Sequence, residues 1–215
     1  MVDPLPRELR AQAEQTRGCL RAEEVQALDA ALDALAASGV AEAALGLGEI
    51  VPDFELPDAT GHWLGLTELL TGGPAVITFY RGAWCPYCNL TLRGLQRLLP
   101  ALRRAGVRVA AISPQPRDMA LALADRSLLE FELLHDAQNR VARLCGLVYE
   151  MPWEWRRYCQ GRGIDLARIN GTERWELPLA ATYLVRPDAT VAYASVEVDH
   201  SRRFDPAALM QALAT

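Results

Sequence analysis

A chain of 215 residues that is 51% hydrophobic can bury one substantial core, and its length suits a single domain with additions. A formal net charge of −5 offers phosphate backbones no general attraction, and no basic stripe supplies one locally, so nucleic acid is not an expected partner. No stretch has the length of a membrane-spanning helix, the run Met1 to Arg21 is too polar for a signal peptide, and five cysteines without a regular framework suit a reducing compartment, so the expected location is the cytoplasm, away from membranes.

Residues Leu5 to Ser38 read as one helix, with Val25, Leu28, Leu32 and Leu35 forming an apolar stripe and Gly39 placed to end it. The stripe is too short for sustained heptads, so packing on the protein's own core is preferred to a dimer arm, with a homodimer left open. This defines an N-terminal helical extension over 1–44, followed by one domain over 45–215. Val51 to Leu56 is an edge-strand pattern, and Asp58-Ala59-Thr60-Gly61 turns it into Trp63 to Leu66 as a hairpin. Ala75 to Tyr80 is a buried strand. The next helix places Leu92, Leu95, Leu99 and Leu102 on one face, with Pro100 expected to kink it.

Val107 to Ile112 is a further strand and Arg117 to Ser127 a helix, so strand, helix and strand imply a parallel crossover. Glu130 to Leu134 adds a strand, and Asp136 caps a short helix reaching about Cys145. Tyr183 to Pro187 and Thr190 to Ser195 form a late hairpin around Asp188-Ala189. Asp205-Pro206 then starts the last helix, with Leu209 and Leu213 facing inward. The sum is an α/β fold, a mixed central sheet with helices on both faces. An aromatic and arginine-rich insertion at 146–178 interrupts it. That insertion either packs over the core, walls the active site or docks a partner protein.

The chemistry concentrates in Tyr80-Arg81-Gly82-Ala83-Trp84-Cys85-Pro86-Tyr87-Cys88-Asn89, between a strand and a helix. A thiol at a helix N-terminus faces unpaired backbone N–H groups and the positive end of the macrodipole, which favour the reactive thiolate. Pro86 suits the first helical position, so Cys85 is the cap, and Cys88 lies one turn on, within reach of a disulfide. A zinc site would want a second ligand pair, whereas Cys19, Cys145, Cys159, His62, His135 and His200 are scattered singly, so neither a metal nor another cofactor is expected. A structural disulfide across so short a loop would remove little entropy from the unfolded chain. A redox dithiol is the preferred reading, and Cys19, Cys145 and Cys159 read as small buried or incidental residues.

From about Leu45 to Leu213 the chain resembles the peroxiredoxin-like branch of the alkyl hydroperoxide reductase/thiol-specific antioxidant (AhpC/TSA) superfamily. The resemblance is carried by Val51-Pro52-Asp53-Phe54-Glu55-Leu56-Pro57-Asp58, Phe79-Tyr80-Arg81-Gly82 through Cys88-Asn89, and Ala111-Ile112-Ser113-Pro114-Gln115. Trp175-Glu176-Leu177-Pro178, Ala181-Thr182-Tyr183 and Asp199-His200-Ser201-Arg202-Arg203 extend it. It implies a thioredoxin-like fold and an antioxidant oxidoreductase that reduces hydroperoxides through a cysteine and is re-reduced by a dithiol donor. Two departures stand out. Typical members place a threonine three residues before the attacking cysteine, where this chain has Gly82 before Cys85, and the place of a thioredoxin-like cis-proline falls on Ala180, with Pro178 two residues too early. Cys-Pro-Tyr-Cys also matches the glutaredoxin motif.

Three readings follow. In the first, Cys85 attacks the peroxide, becomes a sulfenic acid and is resolved by Cys88, with thioredoxin, glutaredoxin or glutathione as reductant. Arg81 then favours the thiolate and polarises the departing oxygen, or is only a sheet-end charge. Tyr80 donates to the bound peroxide, or only packs, and Trp84 shields the sulfur and offers a docking surface. In the second reading the same cysteines exchange with protein disulfides. In the third they form a non-enzymatic switch that alters partner binding.

Overall fold

Two helices stand where the sequence predicts one. In the computed structural model, which describes residues 3–214, α1 (Leu5–Gly18) and α2 (Ala22–Ala37) are separated by a short break. Arg21 is extended there, and its backbone N–H donates to Glu24 Oε2 at 2.9 Å, so a new helix starts with its own cap instead of continuing the old one. Arg17 spans the break, donating to both carboxylate oxygens of Asp29 at 3.0 and 2.6 Å. Gly39, in the left-handed conformation, follows α2 as expected.

The first hairpin forms from β1 (Glu55–Pro57) and β2 (Trp63–Gly65), and α3 (Leu66–Leu69) follows. The central sheet comprises β3 (Ala75–Phe79), β4 (Arg108–Ser113), β5 (Glu132–His135), β8 (Ala180–Val185) and β9 (Val191–Glu197), in the order β5-β4-β3-β8-β9. β3 runs parallel to β4 and antiparallel to β8, which makes it the middle strand of a mixed sheet. Between β3 and β4 lies α4 (Pro86–Arg104), which runs on through Pro100, and α5 (Arg117–Ser127) joins β4 to β5.

Strand alternation sends neighbouring residues to opposite cores. Ile77, Phe79, Ala110 and Ile112 face one cluster, with Ala31 of α2. Val76, Val109 and Ala111 face the other, with Leu5 and Leu9 of α1, the predicted α4 stripe of Leu92, Leu95, Leu99 and Leu102, and Leu209 of α9 (Pro206–Leu213). The two N-terminal helices therefore cover opposite faces of the sheet. Each buried leucine of that stripe contributes about 1.5–3 kcal/mol, which anchors the helix whose first turn carries the cysteines.

Asp136 does act as a cap, but over a different geometry from the single helix expected. Residues Ala137–Asn139 form a tight turn of helix with Gln138 and Asn139 at positive φ, and α6 (Arg140–Leu144) starts afresh. Both Asp136 carboxylate oxygens are used, one on the N–H of Val141 and one on that of Ala142, each at 2.9 Å. The 146–178 segment is ordered: β6 (Val148–Glu150) and β7 (Glu176–Pro178) pair antiparallel around α7 (Trp153–Gly161) and α8 (Leu166–Asn170). Trp155, Cys159, Leu166 and Leu177 bury into the core on the α2 side. Asp205 caps α9 by accepting the Ala207 N–H at 2.9 Å. No described helix is long and apolar enough to cross a membrane.

Candidate active site

The two cysteines sit at the carboxyl end of the middle strand, where the sequence places them. β3 ends at Phe79, the chain turns through Gly82, and α4 opens with Cys85 as its cap and Pro86 in the first position. Gly82 has φ of 143°, and a Cβ there would lie 2.6 Å from Trp84 Nε1, so only glycine lets the tryptophan fold back over the loop. Gln115, at the end of β4, clamps this turn. Its Oε1 accepts the Ala83 N–H at 2.6 Å, its Nε2 donates to the Tyr80 hydroxyl at 3.1 Å, and its carbonyl accepts from His135 Nδ1 at 2.7 Å. Asn89 closes the turn from below, donating to the Ala83 carbonyl at 3.0 Å.

Cys85 and Cys88 are both reduced, and the Cys85 thiol hydrogen-bonds the Cys88 sulfur. Arg81 Nη2 donates to Cys85 Sγ at 3.0 Å, and Arg203, from the loop before α9, reaches Cys88 Sγ at 3.6 Å. Arg81 is itself buried, and although desolvation opposes its charge, the sulfurs beside it outweigh that and keep it protonated. Burial, the bond to Cys88 and that sulfur's own charge push the Cys85 thiol well above the ordinary range, outweighing Arg81. Burial would raise Cys88 too, but the Cys85 hydrogen bond, the Arg203 and Arg81 guanidiniums and the Arg81 backbone N–H together hold it well below. The two sulfurs therefore titrate as one pair, with a guanidinium at each, Arg81 at Cys85 and Arg203 at Cys88.

This corrects one expectation. The sequence puts an accessible thiol at the helix cap, whereas both sulfurs are buried. A second cation, 115 residues away from Cys88 in sequence, joins Arg81 at the pair.

Arg81 is at the sulfurs, as one of its two readings requires, and its guanidinium lies 5.2 Å from the Trp84 ring centroid. Tyr80 lies in the same buried cluster as the dithiol, near enough for the Cys88 charge to act on it. Its hydroxyl is engaged by Gln115, and burial pushes its pKa up, which favours the packing role. Tyr149, on β6, faces Arg81 and was not singled out from the sequence, because nothing local ties a strand tyrosine to an arginine 68 positions earlier. Among the remaining cysteines Cys19 is exposed, whereas Cys145 and Cys159 are buried.

Beside the dithiol lies a cavity of about 230 Å³. Arg81, Trp84 and Pro86 form its floor, Leu28 of α2 and Trp155 of α7 its walls, and His200 one side. Trp155 Nε1 donates to the Leu28 carbonyl at 3.1 Å, which pins α7 to α2. The His200 ring stands edge-on to Trp155, with centroids 4.5 Å apart, and to Tyr87 at 5.4 Å. Burial, with Arg81, Arg203 and Arg17 nearby, pushes His200 well below the usual imidazole range, so it is neutral. The insertion thus both packs on the core and walls the site.

With this geometry in place, comparison with known proteins is informative. The AhpC/TSA family model matches residues 47–194. Peroxiredoxin Bcp of Escherichia coli K12 is 32% identical over 114 residues, covering 53% of this chain and 72% of that protein. The crystal structure of peroxidoxin BcpB from Mycobacterium tuberculosis superimposes with a TM-score of 0.59 at 25% identity, over 79% of this chain and 95% of the other. Peroxiredoxin Q of Xanthomonas campestris, at 20% identity, shares the fold with a TM-score of 0.57, over 75% of this chain and 89% of its own. Helices α1 and α2, His200, Arg203 and α9 all lie outside the matched segment.

Proposed function

The chain belongs to the AhpC/TSA family as a peroxiredoxin-like protein of thioredoxin-like fold, and from that premise we propose that it is a thiol peroxidase working through Cys85 and Cys88. The observation that carries the site assignment is a buried dithiol contacted by two guanidiniums, Arg81 at Cys85 and Arg203 at Cys88, and on this reading Cys88 carries the anion. Cys88, the charged sulfur, attacks the terminal oxygen of the hydroperoxide. The O–O bond breaks, Cys88 becomes a sulfenic acid, and the departing alkoxide takes the Cys85 proton to leave as an alcohol. Arg81 then faces a newly charged Cys85. That sulfur attacks the sulfenic sulfur and expels hydroxide, which takes up a proton as water and leaves an intramolecular disulfide. One hydroperoxide and two thiols give one alcohol, one water and one disulfide.

On this assignment Cys85 lies three residues before the attacking sulfur, where typical family members carry threonine. Trp84 shields the pair, and Arg81 contacts the reacting atoms. A thiol donor, either the dithiol of a thioredoxin or glutaredoxin or two molecules of glutathione, returns the disulfide to the reduced state, consistent with work in the reducing cytoplasm as a monomer or homodimer. On this reading 1–44 is an extension and 45–215 the catalytic domain.

The test is brief peroxide exposure of Cys85→Ser and Cys88→Ser proteins with a sulfenic-acid trap, read by mass spectrometry. Label on Cys88 in the first variant and slow reaction of the second are expected. Dominant rapid label on Cys85 in the second would reverse the roles. Absence of label from both, with fast reduction of insulin disulfides by wild type, would replace the peroxidase with a thiol-disulfide oxidoreductase.

A further inference from the structure

Resting on the peroxidase reading, we propose that the cavity between α2 and α7 is a subsite for the organic group of the substrate, selecting hydroperoxides with an aromatic or branched apolar group over hydrogen peroxide.

Size is the first argument. About 230 Å³ is the share of liquid volume of seven or eight waters, at about 30 Å³ each, far beyond what hydrogen peroxide needs. An apolar cavity of about 150 Å³ suffices to hold benzene, so this one takes a ring with a small branched substituent. It is also too small for a docked helix or strand of a partner protein.

Chemistry is the second. Leu28, Met151, Trp155 and Ile164 give apolar walls, on which organic surface gains about 25 cal/mol for each Å² removed from water. The floor is polar. Arg81 Nε and His200 Nδ1 are buried without a hydrogen-bond partner among the described residues. Buried polar atoms are rarely left so, and a hydroperoxide supplies what both need, oxygens for the guanidinium and an O–H or oxygen for the neutral imidazole.

Position is the third. The Arg81 side chain lines the cavity and also touches Cys85 Sγ, so a ligand seated on the apolar walls presents its oxygens to the group that contacts the dithiol. Leu28 comes from the N-terminal extension, outside the segment shared with the family, and the Trp155–Leu28 hydrogen bond fixes the distance between the walls. Selectivity is thus an addition of this chain to the shared frame.

The experiment compares kcat/KM for cumene hydroperoxide and hydrogen peroxide in wild type and in Leu28→Trp, which fills the cavity, with Ile164→Phe as a second filling variant should the first fold poorly. The cumene-to-hydrogen-peroxide ratio should fall at least tenfold in the filled protein. An unchanged ratio overturns the proposal. Saturation-transfer NMR with 2-phenyl-2-propanol, the product alcohol, reads the cavity without turnover. Saturable binding to wild type that is lost in the filled variant supports the subsite, and no saturable binding overturns it. Binding of the alcohol by a protein that consumes no peroxide would uphold the cavity's shape preference and sink the peroxidase reading.

Discussion

Replacing Arg81 by glutamine removes the cation from the dithiol while keeping a side chain of similar reach and the main-chain N–H that serves Cys88. The guanidinium touches Cys85 at 3.0 Å and acts on the anion of the pair while itself held out of water, so the bare attraction of two touching charges overstates its worth. Charge-assisted hydrogen bonds contribute about 1.5–3 kcal/mol net. Arg203 remains 3.6 Å from Cys88 and retains part of the stabilisation, which argues for the lower half of that range. At about 1.4 kcal/mol for each factor of ten, the peroxide reaction should slow about ten- to thirtyfold. Stopped-flow tryptophan fluorescence on the reduced protein measures it, since Trp84 lies over the site. A cation beside the sulfurs favours the anion, so its loss moves ionisation of the pair to higher pH. The deficit should be greatest near about pH 6 and close towards about pH 9, where an ordinary thiol is ionised as well. A rate within twofold of wild type at the acid end, or an unmoved pH profile, would refute the assignment of the charge to this pair.

Alkylation of the native reduced protein at about pH 8 should label exposed Cys19 first, while Cys145, whose thiol burial pushes up to about 12, stays unlabelled until the chain is unfolded; peptide mass spectrometry reads the order. Gly146→Ala should lower stability by about 2 kcal/mol or more by urea denaturation, because Gly146 has φ of 68° and a Cβ there would run into the Ala43 carbonyl oxygen. Asp136→Asn leaves one carbonyl oxygen for the two N–H groups of Val141 and Ala142, and should cost about 1–3 kcal/mol in the same assay.

What could be read from the sequence was local. The Cys85-Pro86 start of α4, its leucine stripe, the two hairpins and the Asp205 cap each depend on residues a few positions apart, where periodicity and capping chemistry act. The single N-terminal helix failed on a local detail, the bond from the Arg21 N–H to Glu24, which is easily passed over inside a strong apolar pattern. The second cation at the dithiol was not legible from local spacing, because Arg203 reaches Cys88 from the far end of the chain. Nor was the burial of both sulfurs, since the residues that wall the site come from α2, α7 and the loop before α9, and no spacing rule brings those together.

The two guanidiniums that flank the dithiol have a consequence for its redox balance. Forming the disulfide abolishes the anion they share and leaves the buried Arg81 guanidinium without it, in an interior where uncompensated charge is costly. Every kilocalorie of that penalty raises the reduction potential, at about 30 mV per 1.4 kcal/mol for a two-electron couple. The enzyme is thereby built to surrender its oxidised state readily, so that a mild electron donor is enough to reset it for the next peroxide.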